Sequence, residues 1–168
     1  MSKDAVGKVI VIGGCGFVGG HIVEHLPSSS NPSITVLSRQ AKQTSEPISG
    51  VEYYNANITS LASILEVFER IQPDVVFHAV SPSPTKATAE KFQSVNVEGT
   101  KNVIKACQKV GVKALIYTST SAVVQASFKM ACENADESWP VVKGNAQEDP
   151  YSRTKARVTL RHFSFLNN

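Results

Sequence analysis

Two short motifs in this chain of 168 residues could do chemistry together. A glycine cluster, Gly13–Gly19, follows the apolar run Lys8–Ile12, and a Tyr-x-x-x-Lys motif places Tyr151 four residues before Lys155. The first pattern is typical of a turn that receives a dinucleotide pyrophosphate at a helix N-terminus. The second puts a phenol and an ammonium on one helix face, where the phenol could exchange a proton with an alcohol or ketone. Together they indicate hydride transfer involving a nicotinamide cofactor.

Each glycine of the cluster has a predicted task. Gly13 permits a tight turn out of the strand, Gly16 lets the backbone approach a pyrophosphate, and Gly19 lets the following helix pack closely. Cys15, within the loop, is interpreted as a small filler rather than a nucleophile. The alternative is a glycine-rich turn that holds no ligand.

The end of the second predicted strand bears on the choice of cofactor. An acidic residue about 20 positions beyond the glycines would bind the adenosine ribose of NAD. This chain has Ser38 and Arg39 there, and a guanidinium could bind a 2′-phosphate bidentately. We therefore predict that NADP(H) is preferred over NAD(H), with an exposed loop arginine as the alternative.

Tyr151 and Lys155 form the predicted catalytic pair. An ammonium near a phenol stabilises the phenolate, which lowers the phenol pKa from about 10 towards the working pH. Lys155 could also hold the nicotinamide ribose. The spacing also occurs by chance in many helices, so this interpretation depends on the fold around it.

Strand and helix patterns alternate along the chain, and this alternation predicts an α/β protein with a doubly wound parallel sheet, the Rossmann fold. We expect one dinucleotide-binding domain over residues 1–168. The predicted strands are Lys8–Ile12, Ile34–Leu37, Val51–Tyr54, Asp74–Val80 and Val112–Thr118. The predicted helices are Gly16–Leu26, Leu61–Ile71 with Thr59 or Ser60 as its cap, about Ala89–Val110, and Pro150–Leu166.

Polar or glycine-rich segments follow every predicted strand. Ligands of such sheets bind beyond the carboxyl ends of the strands, near the reversal in strand order. We therefore expect these segments to face one crevice: Gly13–Gly19, Ser38–Arg39, Asn57, Ser81–Pro82 and Ser119–Thr120.

Composition excludes several classes of protein. With 42% hydrophobic and 18% charged residues the chain is globular rather than disordered, and a scattered net charge of +3 argues against nucleic acid as a partner. Its three cysteines, Cys15, Cys107 and Cys132, show no metal-binding spacing, so we predict no metal site and a reducing, cytoplasmic location. No secretory signal and no apolar stretch long enough to cross a bilayer is recognised.

Three motifs resemble the extended short-chain dehydrogenase/reductases: Gly13–Gly19, Asn96–Thr100 and Tyr151–Ala156. Within that family, Pro73–Pro82 and Tyr117–Thr120 are similar to the 3β-hydroxysteroid dehydrogenase branch, especially to its decarboxylating sterol-4-carboxylate 3-dehydrogenases. The resemblance implies oxidation of a sterol 3β-hydroxyl to a ketone, with loss of a C-4 carboxylate where the substrate carries one. The alternatives are an inactive dinucleotide-binding module and a reductase of the flavonoid or cinnamoyl type.

The resemblance also implies roles for individual residues. Tyr151 would be the acid/base, Lys155 its partner, and Thr120 the hydroxyl that orients the reacting oxygen, with Ser119 and Ser121 as alternatives in the register. Asn96 would support the proton relay, or else tie a helix to a loop.

Further residues are implied to contact the cofactor: Phe17, Val18, Asn57, Ile58 and Ala79, besides the glycines, Arg39, Tyr151 and Lys155. Asn57 stands where relatives often have an aspartate that bonds the adenine amino group. His78 is interpreted as a packed core histidine rather than a catalyst.

Family members continue beyond the tyrosine–lysine helix with a lobe that forms the substrate pocket, and they often lie at the surface of the endoplasmic reticulum. This sequence stops at Asn168, so we expect a truncated chain without that C-terminal lobe. An apolar sheet edge exposed in this way would favour self-association.

Overall fold

The computed structural model describes residues 7–26, 32–45, 47–127, 132–136, 138–143 and 146–162. Five parallel strands form one sheet in the order β3-β2-β1-β4-β5. The strands are β1 (Lys8–Ile12), β2 (Ser33–Ser38), β3 (Val51–Asn55), β4 (Val75–His78) and β5 (Ala114–Tyr117).

The helices lie between these strands along the chain. They are α1 (Phe17–His25), α2 (Leu61–Ile71), α3 (Ala89–Phe92), α4 (Thr100–Val110) and α5 (Pro150–His162), with a π-helical segment at Gln93–Gly99 and 3₁₀ turns at Ala41–Gln43 and Ser121–Val124. The chain winds outward from β1 to β3, then returns to place β4 on the other side of β1. Right-handed crossovers with this strand order leave helices on both faces of the sheet, so the predicted Rossmann fold is confirmed.

The centre of the sheet is its most apolar strand. Val9, Ile10, Val11 and Ile12 are all fully buried, because β1 is paired on both edges and covered on both faces. This is the reason that its sequence is a continuous β-branched run rather than an alternation. The strand order also reverses beside β1, which places the turn after it at the switch point of the sheet.

Two predicted strands are shorter in the structure. The ladder pairs Val75–His78 with Ala114–Tyr117 only, so the predicted ranges Asp74–Val80 and Val112–Thr118 were too long at both ends.

The predicted helix α2 is confirmed with its cap, since the Ser60 hydroxyl accepts the N–H of Ser63. Residues 163–166 of the last predicted helix lie outside the described residues.

The helix expected over Ala89–Val110 is not uniform. The Thr100 hydroxyl donates to the Asn96 carbonyl at 2.6 Å, while the Thr100 N–H turns to the Val97 carbonyl. The side chain thus takes an acceptor that the α-helical ladder would use, and Gln93–Gly99 forms a π-helix. Such segments are frequent at functional sites.

The chain divides into two compact units. Unit 1 consists of the described residues up to Val80 together with Lys101–Thr118, and it contains the whole sheet. Unit 2 consists of Ser81–Thr100 and the described residues from Ser119 onward; within it α5 packs against α3, the π-helix and the second 3₁₀ turn.

β5 lies at one edge of the sheet in unit 1. Ala114 and Ile116 are exposed on it, Ile116 to 41%. Self-association through this edge stays a prediction.

Among the described residues, every helix is too short or too polar to serve as a bilayer-spanning segment.

Gly19 and Gly20 on α1 form a matched pair for testing how closely this helix must approach the turn. A Cβ on Gly19 would lie 2.9 Å from the Gly14 Cα and closer still to the Gly13 carbonyl, whereas a Cβ on Gly20 would lie 3.6 Å from the Gly14 oxygen, an ordinary contact. We expect Gly20→Ala to raise the free energy of unfolding by roughly 0.5–1 kcal/mol, since alanine favours helix. Gly19→Ala should lower it by roughly 1–3 kcal/mol through overpacking.

Urea unfolding of both variants measures these changes. Equal shifts for Gly19→Ala and Gly20→Ala would contradict the close approach of α1 to the turn.

Candidate functional site

The turn after β1 brings backbone groups close together. Gly13 has φ +89°, its N–H donates to the Leu37 carbonyl at 2.7 Å, and its carbonyl accepts the N–H of Gly16 at 2.9 Å. The missing side chain of Gly19 lets α1 begin directly against this turn. Gly16, the N-cap residue, has no side chain that could accept a hydrogen bond from the first N–H groups of α1. These N–H groups are therefore available to an anion.

Other predicted cofactor residues lie around this turn in unit 1. The Ala79 N–H donates to the Ile12 carbonyl at 3.0 Å, and a Cβ on Gly13 would lie 3.3 Å from the Ala79 carbonyl carbon. The structure therefore brings Ala79 and Gly13 together. Phe17 is 84% exposed and Val18 is also exposed in the first turn of α1, so both side chains are accessible to a ligand.

The predicted cofactor residues after β2 and β3 differ in their exposure and in their hydrogen-bond partners. Arg39 is exposed. The Asn57 Oδ1 accepts both the N–H and the hydroxyl of Thr59, at 3.1 and 3.0 Å, which leaves its Nδ2 as the end that could meet adenine. Ile58 is buried, and its carbonyl accepts the Asn102 Nδ2 at 3.0 Å, so its contact with a cofactor is not evident from this geometry.

His78 is a core residue, as the sequence predicted. It is fully buried at the end of β4, and its ring lies 5.4 Å from the ring of Tyr117. The Val80 N–H approaches its Nδ1 at 3.5 Å. The ring therefore packs the end of the sheet.

α5 carries the predicted catalytic pair, Tyr151 and Lys155, in unit 2. The Asp149 Oδ2 accepts both the N–H and the hydroxyl of Ser152, each at 2.7 Å, and Pro150 occupies the first helical position. Tyr151 follows in this capped first turn, half-buried, with its ring 5.7 Å from the ring of Phe92. Sequence reasoning used the proline and missed the aspartate, although an Asp-Pro pair before a helix indicates both.

Lys155 is the most unusual side chain of unit 2. Only 3% of it is exposed, and burial lowers the pKa of its ammonium to about 8. A lysine with a pKa this close to neutrality can gain and lose a proton near the working pH. Perturbed groups of this kind are common at functional sites.

Asn96 connects the π-helix to α5. Its Oδ1 accepts the Ser81 hydroxyl at 3.1 Å, and its Nδ2 donates to the Thr154 hydroxyl at 3.1 Å. That hydroxyl in turn donates to the Tyr151 carbonyl at 2.8 Å. The Nδ2 end of the Asn96 amide therefore contacts α5 and the Oδ1 end contacts Ser81, while a part for Asn96 in a proton relay stays a prediction.

The three candidate hydroxyls after β5 are distinguished by their partners. Ser119 shares a 2.9 Å hydrogen bond with Thr159 of α5, and Ser121 is exposed. The Thr120 Oγ1 accepts the Ala122 N–H at 3.3 Å, which leaves its own hydrogen for another acceptor. Thr120 as the active hydroxyl, with Ser119 and Ser121 as alternatives, stays a prediction.

One cluster was missed. The prediction of no metal site was drawn from cysteine spacing, but His21, Glu24 and His25 on α1 have possible ligand atoms that all lie within 4.8 Å of one another. The sequence signal was a His-x-x-Glu-His pattern inside a predicted helix, where such spacing shares one face.

Comparison with known proteins identifies sequence relatives. The 3-beta hydroxysteroid dehydrogenase/isomerase family matches residues 10–159. A decarboxylating sterol-4-alpha-carboxylate 3-dehydrogenase of Schizosaccharomyces pombe is 39% identical over 151 residues, which cover 89% of this chain and 43% of that protein. A 3beta-hydroxysteroid-dehydrogenase/decarboxylase of Arabidopsis thaliana is 36% identical over 159 residues, covering 88% and 35%. The chain spans less than half the length of these curated relatives.

Solved structures agree on the fold. UDP-glucose 4-epimerase of Thermus thermophilus, in complex with NAD, superposes with a TM-score of 0.78 at 28% identity, covering 95% of this chain and 50% of that one. UDP-glucose 4-epimerase of Thermotoga maritima, with UDP-glucose, gives 0.78 at 21% identity, covering 94% and 51%.

The buried ammonium of Lys155 makes a signed prediction about stability. Because the pKa of Lys155 is about 8 in the folded state and 10.5 for an unburied lysine, burial of the charge destabilises the fold below pH 8. The penalty corresponds to at most roughly 3 kcal/mol, and it fades as the pH rises from 8 to above 10.5. We expect Lys155→Met to be more stable than the parent at pH 7, and this advantage should shrink across that pH range.

Thermal unfolding at several pH values measures the difference. Lys105→Met, which replaces an exposed lysine of α4, is the control and should show no such trend. A Lys155→Met difference that is independent of pH would refute the burial penalty.

Proposed function

Because this chain belongs to the 3-beta hydroxysteroid dehydrogenase/isomerase family, we propose that it carries the cofactor-binding and proton-transfer residues of an oxidoreductase acting on a sterol 3β-hydroxyl. The observation that supports this most is the buried Lys155 one turn beyond Tyr151 on α5. A charged side chain is seldom buried without a task, since desolvation is costly.

The glycine turn fits a nicotinamide dinucleotide. A side chain at Gly19 would fill the approach between α1 and the turn, and the uncapped N–H groups behind Gly16 suit a pyrophosphate. The exposed ring of Phe17 offers apolar cover at the same helix end. A nicotinamide cofactor held by this turn would supply the acceptor for the substrate hydride.

Tyr151 is proposed as the acid/base. Its phenolate takes the proton of the substrate hydroxyl, and the electrons of that O–H bond form the second bond of the carbonyl as hydride leaves the carbon. The Lys155 ammonium stabilises the phenolate electrostatically and can hold the nicotinamide ribose. The Thr120 hydroxyl donates to the reacting oxygen and orients it. Asn96 acts through Thr154, by positioning α5.

The proposed substrate is a sterol that carries a C-4 carboxylate, as the printed name of the Schizosaccharomyces pombe relative implies for that protein. Oxidation at C3 makes a β-keto acid. The bond to the carboxyl carbon then breaks, its electron pair enters the new carbonyl as an enolate, and carbon dioxide leaves. A proton on the enolate restores the ketone.

Arg39 is proposed to select NADP(H). Its exposed guanidinium, in a segment with no carboxylate at Ser38–Gln40, could bind a 2′-phosphate. We expect NADPH to bind more tightly than NADH, and Arg39→Ala to weaken NADPH binding by roughly the 1.5–3 kcal/mol of a charged hydrogen bond while sparing NADH.

Fluorescence titration of both cofactors measures this preference. Arg70→Ala, which removes an exposed guanidinium from α2, is the matched control. Equal affinities for the two cofactors in the parent chain, or a preference for NADH, would contradict the role of Arg39.

Tyr151→Phe tests the acid/base. The variant keeps the ring that packs on Phe92 but loses the phenol oxygen. In a version of the chain restored with the C-terminal lobe, we expect unchanged cofactor binding and a loss of turnover of about 10²–10⁴-fold with a 4-carboxysterol and NADP⁺. Tyr54→Phe, outside α5, is the control and should retain turnover.

Wild-type turnover in Tyr151→Phe would remove Tyr151 from the mechanism. Stoichiometric cofactor binding with no turnover in the parent chain would instead favour a non-catalytic dinucleotide-binding module.

The proposal also covers the cellular location of the chain and its self-association. Free Cys15, Cys107 and Cys132 suit a reducing cytoplasm. Association with the endoplasmic reticulum surface and self-association through β5 stay predictions, which cell fractionation and light scattering would test.

A further inference from the structure

The exposed face of α1 carries two imidazoles and a carboxylate within one and a half turns. His21, Glu24 and His25 are all exposed, and one possible ligand atom from each lies within 4.8 Å of the others. The helix places them together because residues three and four apart share a face. None of the three has a part in the proposed oxidoreductase chemistry.

Both histidine rings are held in a defined tautomer. The His25 Nδ1 lies 2.9 Å from the His21 carbonyl oxygen, and the His21 Nδ1 lies 3.1 Å from a Glu24 carboxylate oxygen. Both oxygens can only accept, so each Nδ1 must carry the hydrogen. In the neutral ring each Nε2 then has its lone pair available. Metal-binding histidines are oriented in this way, with the other nitrogen held by a carbonyl or a carboxylate.

The ring of His21 is also supported by packing. The ring of Phe17 meets it edge-on at 4.8 Å between centroids, and the ring of His25 lies 6.3 Å away on its other side. Zn–N bonds of about 2.0–2.1 Å place neighbouring ligands of a tetrahedral site roughly 3.3 Å apart. The possible ligand atoms of the cluster already lie within 4.8 Å of one another, and all three side chains are exposed, so rotation about their side-chain bonds can bring them to this spacing.

The negative charge around this cluster favours binding of a cation. The cluster lies in the last turns of α1, where the unpaired carbonyls give the helix end a partial negative charge. Glu24 adds a full negative charge beside the imidazoles. Two neutral imidazoles with a carboxylate are a donor set for zinc and its first-row neighbours rather than for magnesium or calcium.

We propose that α1 carries a surface site for Zn²⁺ in which His21 and His25 supply nitrogen ligands and Glu24 supplies the neighbouring negative charge. Solvent completes the coordination. The ion links successive turns of α1, so its binding stabilises the folded chain.

The test is titration of Zn²⁺ into the chain, purified without a histidine tag and freed of metal with a chelator. Calorimetry should give one ion per chain, and the melting temperature should rise with Zn²⁺ concentration. His21→Gln or His25→Gln should weaken binding by at least the roughly 10–100-fold that loss of an outer-shell partner costs. Glu24→Gln should have a smaller effect in the same direction.

Two controls separate this site from other ligands. His162→Gln makes the same substitution outside the cluster and should leave the affinity unchanged. Titration with Co²⁺ should give no sulfur-to-cobalt charge-transfer band, which would appear if the exposed Cys15 thiol were a ligand. The proposal is overturned by absence of saturable binding, by full affinity in both histidine variants, or by that band.

Discussion

The close approach of α1 to the turn after β1 is the constraint on which unit 1 depends. β1 is buried on both faces and paired on both edges, so the chain must leave the sheet at its centre and turn back at once. Gly13 supplies the left-handed backbone for that turn, and the missing side chain of Gly19 lets the helix begin against it. The result is a set of helix N–H groups at the switch point of the sheet, where a pyrophosphate could be stabilised.

Unit 2 buries polar groups on and around α5. Asn96, Thr154 and Ser81 are connected by hydrogen bonds, and burial lowers the pKa of Lys155 to about 8. A hydrogen-bonded network favours one arrangement of the helix, and an ammonium with a lowered pKa gives up its proton more readily.

Much of this arrangement could be read from the sequence, because it depends on local patterns. The β-branched run of β1, the glycine spacing and the Ser60 cap are each set by a few neighbouring residues. The π-helix could not be read in this way. Within it, the Asn96 side chain has its partner, Thr154, 58 residues away along the chain. The burial of Lys155 likewise follows from the packing of α5, which no local pattern encodes. The cluster on α1 was readable, but only if histidine spacing was considered beside cysteine spacing.

The proposed function is transfer of hydride from a sterol carbon to a nicotinamide. The most direct measurement uses a 4-carboxysterol with deuterium on C3, incubated with the chain and NADP⁺, followed by mass spectrometry of the cofactor. The account predicts that each reduced nicotinamide carries one deuterium and that carbon dioxide is released in step with it. Cofactor that is bound but remains unlabelled, under conditions that saturate both ligands, would contradict the account.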